Sequence, residues 1–582
     1  MKMMNKYLII FLGILSINVV YGQGGDVEIV TDSDRSITPA KRIFNRPQIM
    51  DTAITARVVD YPLLILKEKT DVEIEDFSAA NIRLKPQLSQ LYKGYVKLGL
   101  GSLLQPLGEV YYNSLRSRKF NWGIHALHHS EWGKIKGFAP SQYDNTSGKV
   151  FGKVIEKRFS YGGELNYRNQ GLHYYGFENS DAPRDSISQR YSGIGFNAFF
   201  DSHKKDSSLL NFKVGVEYNN FLGRKPKEDT LKDWRGKENF AAIRTHWEYN
   251  GSTHLLLANL GADFDISYND YRYGLKDTFL INPDPAYNGL DSGLVTQNVL
   301  VQLRPVTNFY SLNKKLYFKV GGELSMDWND KFRAYLYPLA EVRYSLFNDI
   351  FIPYVGVEGG LKQQRYELLA RENEFINANN VLRNASTYTL YGGFKGTITS
   401  RISFNASFAF ANVRDKALFV NDTIYSSGNQ FRVEYDTLSI STIAASISYQ
   451  QNEKLKIDLI GKFHSYQAKN NPYAWNLPQF EIITRGSYNI ASKLIATLDF
   501  KLETGRKAQV FDTTLEGIEE QDGVYYKKLG VIPDLNIGVE FRYSKRLSIW
   551  ASFNNIASIR YRQWYDYPVN GFQGMAGITF RF

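Results

Sequence analysis

The last nine residues of the chain alternate strictly along what reads as an extended strand. The apolar set falls on one face and comprises Ala576, Ile578, Phe580 and Phe582. The residues between them fall on the other face, because successive side chains of a strand point in opposite directions. A strand that is apolar on one face and ends the chain on Phe, in a sequence with 15% aromatic residues, is typical of a β-barrel that spans an outer membrane.

The same alternation recurs over most of the chain after about Leu91. It is clearest in Leu210–Tyr218, Leu316–Trp328, Ile402–Phe410, Leu494–Leu502 and Leu535–Tyr543. A soluble β-sandwich also alternates, but these strands reach the ~10 residues that a tilted transmembrane strand requires. The series continues without a helical interruption of any size, whereas stacked sandwiches have shorter strands and linkers. The pattern predicts an all-β fold, a transmembrane antiparallel β-barrel over residues 91–582.

The connections between these strands fall into two alternating classes. Ten are short turns, near residues 117, 157, 203, 250, 312, 348, 399, 451, 491 and 544. Eleven occupy the other slots and most are long, near 104–106, 133–148, 177–188, 223–237, 270–293, 328–332, 364–386, 414–431, 467–478, 505–524 and 557–571. Twenty-one connections imply 22 strands with both termini on the short-turn side. Short periplasmic turns opposite longer outer loops are the rule for outer-membrane barrels.

The first 90 residues differ from the rest. Lys2 and Lys6 precede an apolar run from Tyr7 to Val20, which predicts a secretory signal peptide over residues 1–22. Residues 23–90 carry four prolines, many charges and few aromatics. We interpret residues 23–90 as a periplasmic N-terminal arm, which is either partly disordered or folded back into the barrel mouth as a reduced plug.

Composition excludes several classes of function. The chain has no cysteine, so thiol catalysis and cysteine-ligated metals are ruled out. The net charge of +11 is scattered and forms no dense basic stripe, so nucleic-acid binding has little support. His125, His128 and His129 lie on one predicted strand, where no two of them can share a metal ion without a bulge. We find no phosphate-binding or dinucleotide fingerprint and no nucleophile elbow, and expect neither a cofactor nor an enzymatic activity.

The strand count and the C-terminal region together resemble the TonB-dependent receptor family of outer-membrane transporters. The resemblance rests on the Asn554-Asn555 pair within Tyr543–Ile556, on the aromatic loop Tyr561–Pro568, and on the terminal strand to Phe582. It implies a transporter-type barrel in the Gram-negative outer membrane, in contact with lipid. It also implies that the barrel-assembly machinery recognises the strand that ends at Phe582.

One departure from the family concerns its plug. Family members carry an N-terminal plug domain considerably longer than residues 23–90, and we recognise no counterpart of their energy-coupling segment. A barrel of 22 strands encloses a wide lumen. We therefore expect residues 23–90, the long loops, or a partner protein supplied in trans to obstruct the pore.

Charged residues on the inward face are the candidates for a solute path. Both signs are present, whereas a channel selective for one sign would carry an excess of that sign. These side chains either pair and hydrate inside the barrel or line a path for a polar solute or peptide. The candidate ligand-binding residues are Glu323, Asp327, Asp499, Lys501, Glu540 and Arg542.

The connection at 364–386 stands out among the long loops. Gln364–Phe375 is rich in helix formers and predicts one or two helical turns. Because structured loops of this length are often functional, we expect this one to fold over or into the mouth. The aromatic residues of the outer loops either stack on a sugar, contact a partner, or pack the loops themselves; they are Trp234, Tyr271, Tyr273, Trp475, Trp564, Tyr565 and Tyr567.

The sequence thus favours uptake or passage of a solute across the outer membrane. The alternative is a structural or assembly component of an outer-membrane complex, in which the barrel anchors other proteins and its pore stays closed. A surface enzyme ranks below both.

Overall fold

The computed structural model describes residues 91–582, except for 116, 178–181, 203–209, 225–233, 250–259, 276–293, 312–314, 425, 427, 453 and 512–516. The predictions of a signal peptide at 1–22 and an arm at 23–90 lie outside the described residues. Within the described part of the chain, no helix is both long and apolar enough to cross a membrane.

The described residues form 27 strands, one α-helix and one short 3₁₀ helix, Arg184–Ile187. The first fourteen strands are β1 Gly94–Gly101, β2 Gln105–Asn113, β3 Phe120–Glu131, β4 Tyr143–Ile155, β5 Phe159–His173, β6 Ser188–Ser202, β7 Leu210–Arg224, β8 Trp234–Tyr249, β9 Leu260–Leu275, β10 Leu294–Ser311, β11 Leu316–Asn329, β12 Lys331–Tyr344, β13 Ile352–Lys362 and β14 Ala385–Thr399. The α-helix, α1, spans Tyr366–Glu372 between β13 and β14.

The remaining strands are β15 Ile402–Asn421, β16 Phe431–Gln451, β17 Leu455–Ala468, β18 Phe480–Ile490, β19 Leu494–Thr504, β20 Lys507–Gln509, β21 Ile518–Gln521, β22 Val524–Lys528, β23 Ile532–Arg542, β24 Leu547–Asn554, β25 Arg562–Trp564, β26 Tyr567–Pro568 and β27 Gln573–Arg581. A single antiparallel sheet contains 22 of the 27 strands: β1–β19, β23, β24 and β27.

The sheet closes on itself. The last strand, β27, pairs with the first, β1, in antiparallel register from Tyr95 opposite Arg581 to Gly101 opposite Met575. Closure satisfies the backbone groups that an open sheet would leave unpaired at its edges. The prediction of a barrel with 22 strands is confirmed.

The two faces of the barrel wall differ as the terminal alternation predicts. In β27 and the C-terminal residue, Ile578, Phe580 and Phe582 are exposed on the outside. Between them, Thr579 and Arg581 are buried toward the lumen. An apolar exterior and a polar interior are what a barrel in lipid requires, because hydrocarbon meets one side and water the other.

The two ends of the barrel also differ. We call the end with the short connections the turn end and the end with the longer connections the loop end. At the turn end, β18 and β19 are joined through Ala491 and Ser492, whose φ angles are 51° and 60°. Two successive residues with positive φ give the tight hairpin turn that matches the twist of the paired strands.

Some connections at the loop end carry more structure than their sequence indicates. Strands β15 and β16 are 20 and 21 residues long, so the connection expected at 414–431 shrinks to 422–430. The connection at 505–524 extends into a small sheet of β20, β22 and β21, and the one at 557–571 contains the ribbon of β25 and β26.

Candidate functional site

A hydrophobic cluster occupies the loop end of the lumen. We call it the loop-end core; its buried members are Ile135, Ala139, Leu172, Tyr174, Tyr175, Ile187, Tyr191, Phe221, Tyr271, Tyr273, Tyr366, Leu369, Ala370, Phe375, Ile376, Ala378, Leu382, Ala417, Phe419, Phe431, Trp564 and Tyr567. They come from β5, β6, β7, β9, β15, β16 and loops between other strands. A cluster on the wall would join neighbouring strands, whereas this one joins strands around the circumference. It therefore crosses the mouth of the barrel.

The centre of this core is residues 363–384, which leave β13 and return to β14. We call them the cross-lumen segment. Its helix α1 begins at Tyr366, a fully buried residue whose ring lies 5.5 Å from that of Phe221 and 5.0 Å from that of Tyr271, centroid to centroid. Because β7 and β9 are not neighbours of β13 or β14 in the sheet, the segment reaches across the lumen. The prediction that this loop is partly helical and folds into the mouth is confirmed.

A buried carboxylate from the opposite wall holds the start of α1. Glu238 on β8 accepts hydrogen bonds from the backbone N–H groups of Tyr366 at 2.7 Å and Glu367 at 2.9 Å. The side chain of Asn269 donates a third, at 3.0 Å. The first N–H groups of a helix have no partner within the helix and carry partial positive charge, so a carboxylate is well matched to them. Glu238 is 1% exposed, and its burial is tolerated because these donors satisfy it.

Two glycines in the wall make room for the segment. A Cβ at Gly223 of β7 would lie 2.5 Å from the Tyr366 hydroxyl oxygen. A Cβ at Gly236 of β8 would lie 3.0 Å from the Cβ of Ala378. The wall is therefore shaped to receive these side chains. Burial also raises the pKa of the Tyr366 hydroxyl well above its ordinary value, so the ring stays neutral inside the core.

The second half of the segment is anchored on the other side of the mouth. The Phe375 ring stacks on Tyr567 from the β26 ribbon, with centroids 3.7 Å apart. Phe431, the first residue of β16, donates its N–H to the Phe375 carbonyl at 3.0 Å and accepts the Asn377 N–H at 2.7 Å. Both halves of the segment are thus fixed to the barrel, at β6–β9 and at β16.

The candidate residues on β11 each accept hydrogen bonds from their own set of neighbours inside the barrel. Glu323 accepts hydrogen bonds from Arg304 Nε and from Gln302 Nε2, both at 2.8 Å. Asp327 accepts from Asn298 at 2.5 Å and from Asn384, at the end of the cross-lumen segment, at 3.0 Å. Both carboxylates are buried and hydrogen-bonded, and Asp327 joins the wall to the cross-lumen segment.

The candidates on β19 and β23 lie in separate ion pairs. Glu540 pairs with Arg581 at 2.9 Å and lies 3.9 Å from Arg542. On β19, Lys501 pairs with Glu503, and Asp499 lies 3.9 Å from Arg485. The six candidates therefore do not converge on one site. The structure places them in ion pairs and hydrogen bonds along the wall.

The three nearby histidines have separate partners. His125 contacts Glu109 at 2.9 Å, His128 contacts Thr146 at 2.8 Å, and His129 contacts Tyr143 at 3.1 Å. His128 is exposed on the outer face while His129 is buried inside. Among the described residues, no three His, Asp or Glu side chains are grouped so as to hold a metal ion.

The aromatic residues of the outer loops pack the loop end. Tyr271, Tyr273, Trp564 and Tyr567 belong to the loop-end core, and Trp475 and Tyr565 are buried in smaller clusters beside it. Of the interpretations that the sequence left open, the structure favours loop packing. The side chain of Trp234 lies outside the described residues.

A polar chamber lies directly beneath α1. Its volume is about 360 Å³, and β3–β7 form its wall while Glu367 and Arg371 of α1 form its roof. Lys149, Asn166 and Arg168 are among the wall residues. Sequence reasoning missed this chamber, because its polar residues look like any others on the inward face of a strand. The signal that could have located it is two inward glycines on one strand, Gly193 and Gly195.

No protein-family model and no curated protein matches the chain. Solved structures do match. The siderophore receptor PirA from Acinetobacter baumannii aligns with a TM-score of 0.63 at 11% identity, over 84% of this chain and 80% of that one. The pyoverdine outer membrane receptor FpvA from Pseudomonas aeruginosa aligns with a TM-score of 0.61 at 12% identity, over 84% and 78%. The FrpB iron transporter from Neisseria meningitidis gives 0.62 at 10%, over 85% and 82%.

These neighbours are receptors and transporters, and at such identities the likeness concerns the fold. The resemblance to the TonB-dependent receptor barrel is confirmed at that level: 22 antiparallel strands, closed between the first and the last.

Proposed function

We propose that the protein lies in the Gram-negative outer membrane and takes up a polar solute through the barrel. The loop end faces outward and the turn end faces the periplasm, following the rule that short turns are periplasmic. The observation that carries this proposal is the placement of a polar chamber directly beneath the cross-lumen segment, which forms the centre of the closure among the described residues. A segment that is held by noncovalent contacts can move aside, whereas a lumen filled along its whole length could not conduct.

The fold of the neighbours supports the proposal. Proteins with this barrel include receptors for pyoverdine and other siderophores and a transporter of iron, as their names state. The signal peptide at 1–22, the arm at 23–90 and recognition of the terminal strand by the barrel-assembly machinery belong to the same proposal. Within this proposal, the arm or a partner supplied in trans helps to obstruct the pore.

A second candidate is a structural or assembly component with a permanently closed pore. The extent of the loop-end core favours it, because 22 buried residues from around the circumference pack into the mouth. In that case the segment never moves, and surface contacts of the barrel carry the function.

A reversible crosslink separates the two candidates. Gly236→Cys and Ala378→Cys would place two thiols where an added Cβ on β8 lies 3.0 Å from the Cβ on the segment. That separation needs only a small adjustment to reach disulfide geometry, and the chain has no other cysteine. We expect the oxidised double variant to lose uptake in cells and to regain it on reduction.

Each single-cysteine variant is the control for the effect of the substitution alone. If oxidised and reduced double variants complement a deletion strain equally well, motion of the segment is not required. That result would reject uptake through this route and support the closed-pore component.

A further inference from the structure

We propose that the chamber beneath α1 binds a small solute that combines one anionic group with several hydroxyl or amide groups, such as a sugar phosphate or a sugar acid. The inference rests on the proposed uptake function and names the chemical class of the solute. It is argued from the shape of the chamber, its charge and its hydrogen-bonding groups.

The shape comes from β6, where glycines occupy two successive inward positions. A Cβ at Gly195 would collide with the side chains of Asn166 and Asn219, which lie over it from the neighbouring strands. A Cβ at Gly193 would meet a backbone oxygen at 3.2 Å and is otherwise clear apart from the Phe221 ring at 3.5 Å. The side chains of Asn166 and Asn219 therefore fill the space above Gly195, and the absence of a side chain at Gly193 leaves a recess beside them. Glycine inside a strand often marks a place where another molecule approaches the backbone closely.

The charge comes from Arg168 on β5. Its outward neighbour Tyr167 is 44% exposed on the lipid side, and Arg168 faces the chamber. Lys149 is paired with Glu164, and Arg371 is paired with Glu367. Arg168 makes no ion pair or hydrogen bond with any described residue, although the charges of Arg371 and Glu367 act on it. Among the described residues that line the chamber, Arg168 therefore offers a guanidinium that is free to bind an anion.

The guanidinium selects the type of anion. Its planar fork matches a carboxylate or a phosphate with two parallel hydrogen bonds. Each bond to a charged group is stronger than a neutral one. A planar oxyanion-binding group beside a recess fits a solute that carries its charge at one end.

The hydrogen-bonding groups are the amides of Asn166, Asn197 and Asn219. Each side-chain amide offers a donor pair and an acceptor, which suits hydroxyl groups that both donate and accept. The Asn219 amide already donates to Glu217 at 2.9 Å, which fixes its orientation and leaves its oxygen lying over Gly195, beside the recess at Gly193. A volume of about 360 Å³ lies at the lower end of the range for small-molecule sites.

The helix α1 links binding of a solute in the chamber to closure of the barrel mouth. One side of α1 contributes Tyr366, Leu369 and Ala370 to the loop-end core, and its Glu367 and Arg371 line the chamber. An anion bound by Arg168 would attract Arg371 away from Glu367. A solute in the chamber thus acts directly on the helix that closes the mouth.

The first experiment measures binding to the full protein purified in detergent, by calorimetry, with glucose 6-phosphate as the probe. Glucose and inorganic phosphate are the comparison ligands. We expect the probe to bind more tightly than either comparison ligand, and Arg168→Gln to weaken it by about tenfold or more. Arg158→Gln removes the same charge at the exposed turn between β4 and β5 and should leave the affinity unchanged.

The second experiment needs no assumption about the solute. In Asn197→Cys, the introduced thiol is the only one in the chain. An anionic thiosulfonate reagent should modify it about threefold faster than an uncharged one, as expected for one unit charge several ångströms away in water. Adding Arg168→Gln should abolish the preference.

Equal affinity of Arg168→Gln and the unchanged protein for the probe would overturn the proposal, and so would inorganic phosphate binding as tightly as glucose 6-phosphate. Absence of any charge preference at position 197 would do the same. These outcomes are separate from the crosslink result. Loss of uptake on oxidation without probe binding rejects only this site, whereas probe binding without an effect of the crosslink rejects only the uptake function.

Discussion

The two ends of the barrel follow different rules. At the loop end, the last five residues of β15, Ala417–Asn421, are all buried on both faces of the strand. At the turn end, the β12–β13 connection exposes Phe347 and Ile350 by 74% and 47%. Between the two ends, the strands of the wall repeat the same alternation of apolar outward and polar inward side chains. The difference shows that the side-chain pattern of the wall depends only on lipid outside and water inside. The packing of the loop-end core depends on specific partners from distant parts of the chain.

The contrast also separates what holds each part together. Along the wall, charged residues such as Glu323 and Glu540 are satisfied by neighbours one or two strands away. In the closure, partners are far apart in sequence: Glu238 holds the start of α1, and Tyr567 stacks on Phe375. We therefore expect substitutions at the loop end to loosen the cross-lumen segment without opening the barrel, and matched substitutions at the turn end to do little.

The largest effect is expected for Tyr366→Ala. The ring is fully buried among three other aromatic residues, and its loss should cost about 3–5 kcal/mol of local stability. Hydrogen exchange at the amides of α1 reports that stability. Phe347→Ala, at the exposed turn, is the control and should change exchange there by less than about 0.5 kcal/mol. Similar losses at both positions would remove the distinction between the two ends.

Gly223→Ala should have the next largest effect. The new methyl group would collide with the Tyr366 hydroxyl and push the segment off β7, at a cost of about 1–3 kcal/mol. Gly148→Ala, where nothing lies within 4 Å of the added Cβ, is the matched control. Protease cleavage within 363–384 should become faster in the first variant and not in the second. Equal cleavage rates would show that the wall is not shaped around this ring.

Glu238→Gln tests the anchor of α1 with almost no change in volume. One of the two oxygens that accept the helix N–H groups becomes an NH₂ group, which leaves a buried donor facing a donor. The expected cost is about 1–3 kcal/mol, read from hydrogen exchange at Tyr366 and Glu367. Glu164→Gln, on the wall of β5 and partly exposed, should leave exchange in α1 as it was. If both variants behave alike, the carboxylate does not hold the helix.

The smallest effect is expected for Arg190→Gln. Arg190 forms a two-pronged ion pair with Asp144, at 3.0 and 3.2 Å, between β6 and β4. The pair is solvent-exposed, so its loss should cost less than about 1 kcal/mol. Exchange in α1 should stay within error. A larger change in α1 would mean that surface charge, rather than aromatic burial, governs the closure.

The strands of the barrel wall could be predicted from the sequence alone. The period-two alternation, as in Ile402–Phe410, depends only on neighbouring residues, so it identifies the outward and inward faces of each strand. The number of connections between the alternating stretches predicts the number of strands. The helix at Tyr366–Glu372 was also predictable, because helix propensity is local. Its partners were not. Contacts of Tyr366 with Tyr191 and Phe221 join residues more than a hundred positions apart, and nothing in their local sequence distinguishes them from other aromatics.

The candidate site was predicted less well for the same reason. Glu323, Asp327 and Glu540 do face inward, but whether an inward carboxylate is free or paired depends on residues several strands away. Arg168 is the converse case, an inward charge with the same local pattern and no described partner. The register of β4–β7 and the position of α1 determine that Arg168 is left without a described partner, and neither can be predicted from the local sequence.

Conductance in planar bilayers tests the closure most directly. We predict that the full-length protein conducts little and that deletion of residues 366–384 raises single-channel conductance severalfold, as expected when a wide lumen loses its obstruction. Reducing the crosslinked double variant should not mimic that large increase, because the segment is still present. Unchanged conductance after the deletion would contradict the account, since the cross-lumen segment would then not be what closes the barrel.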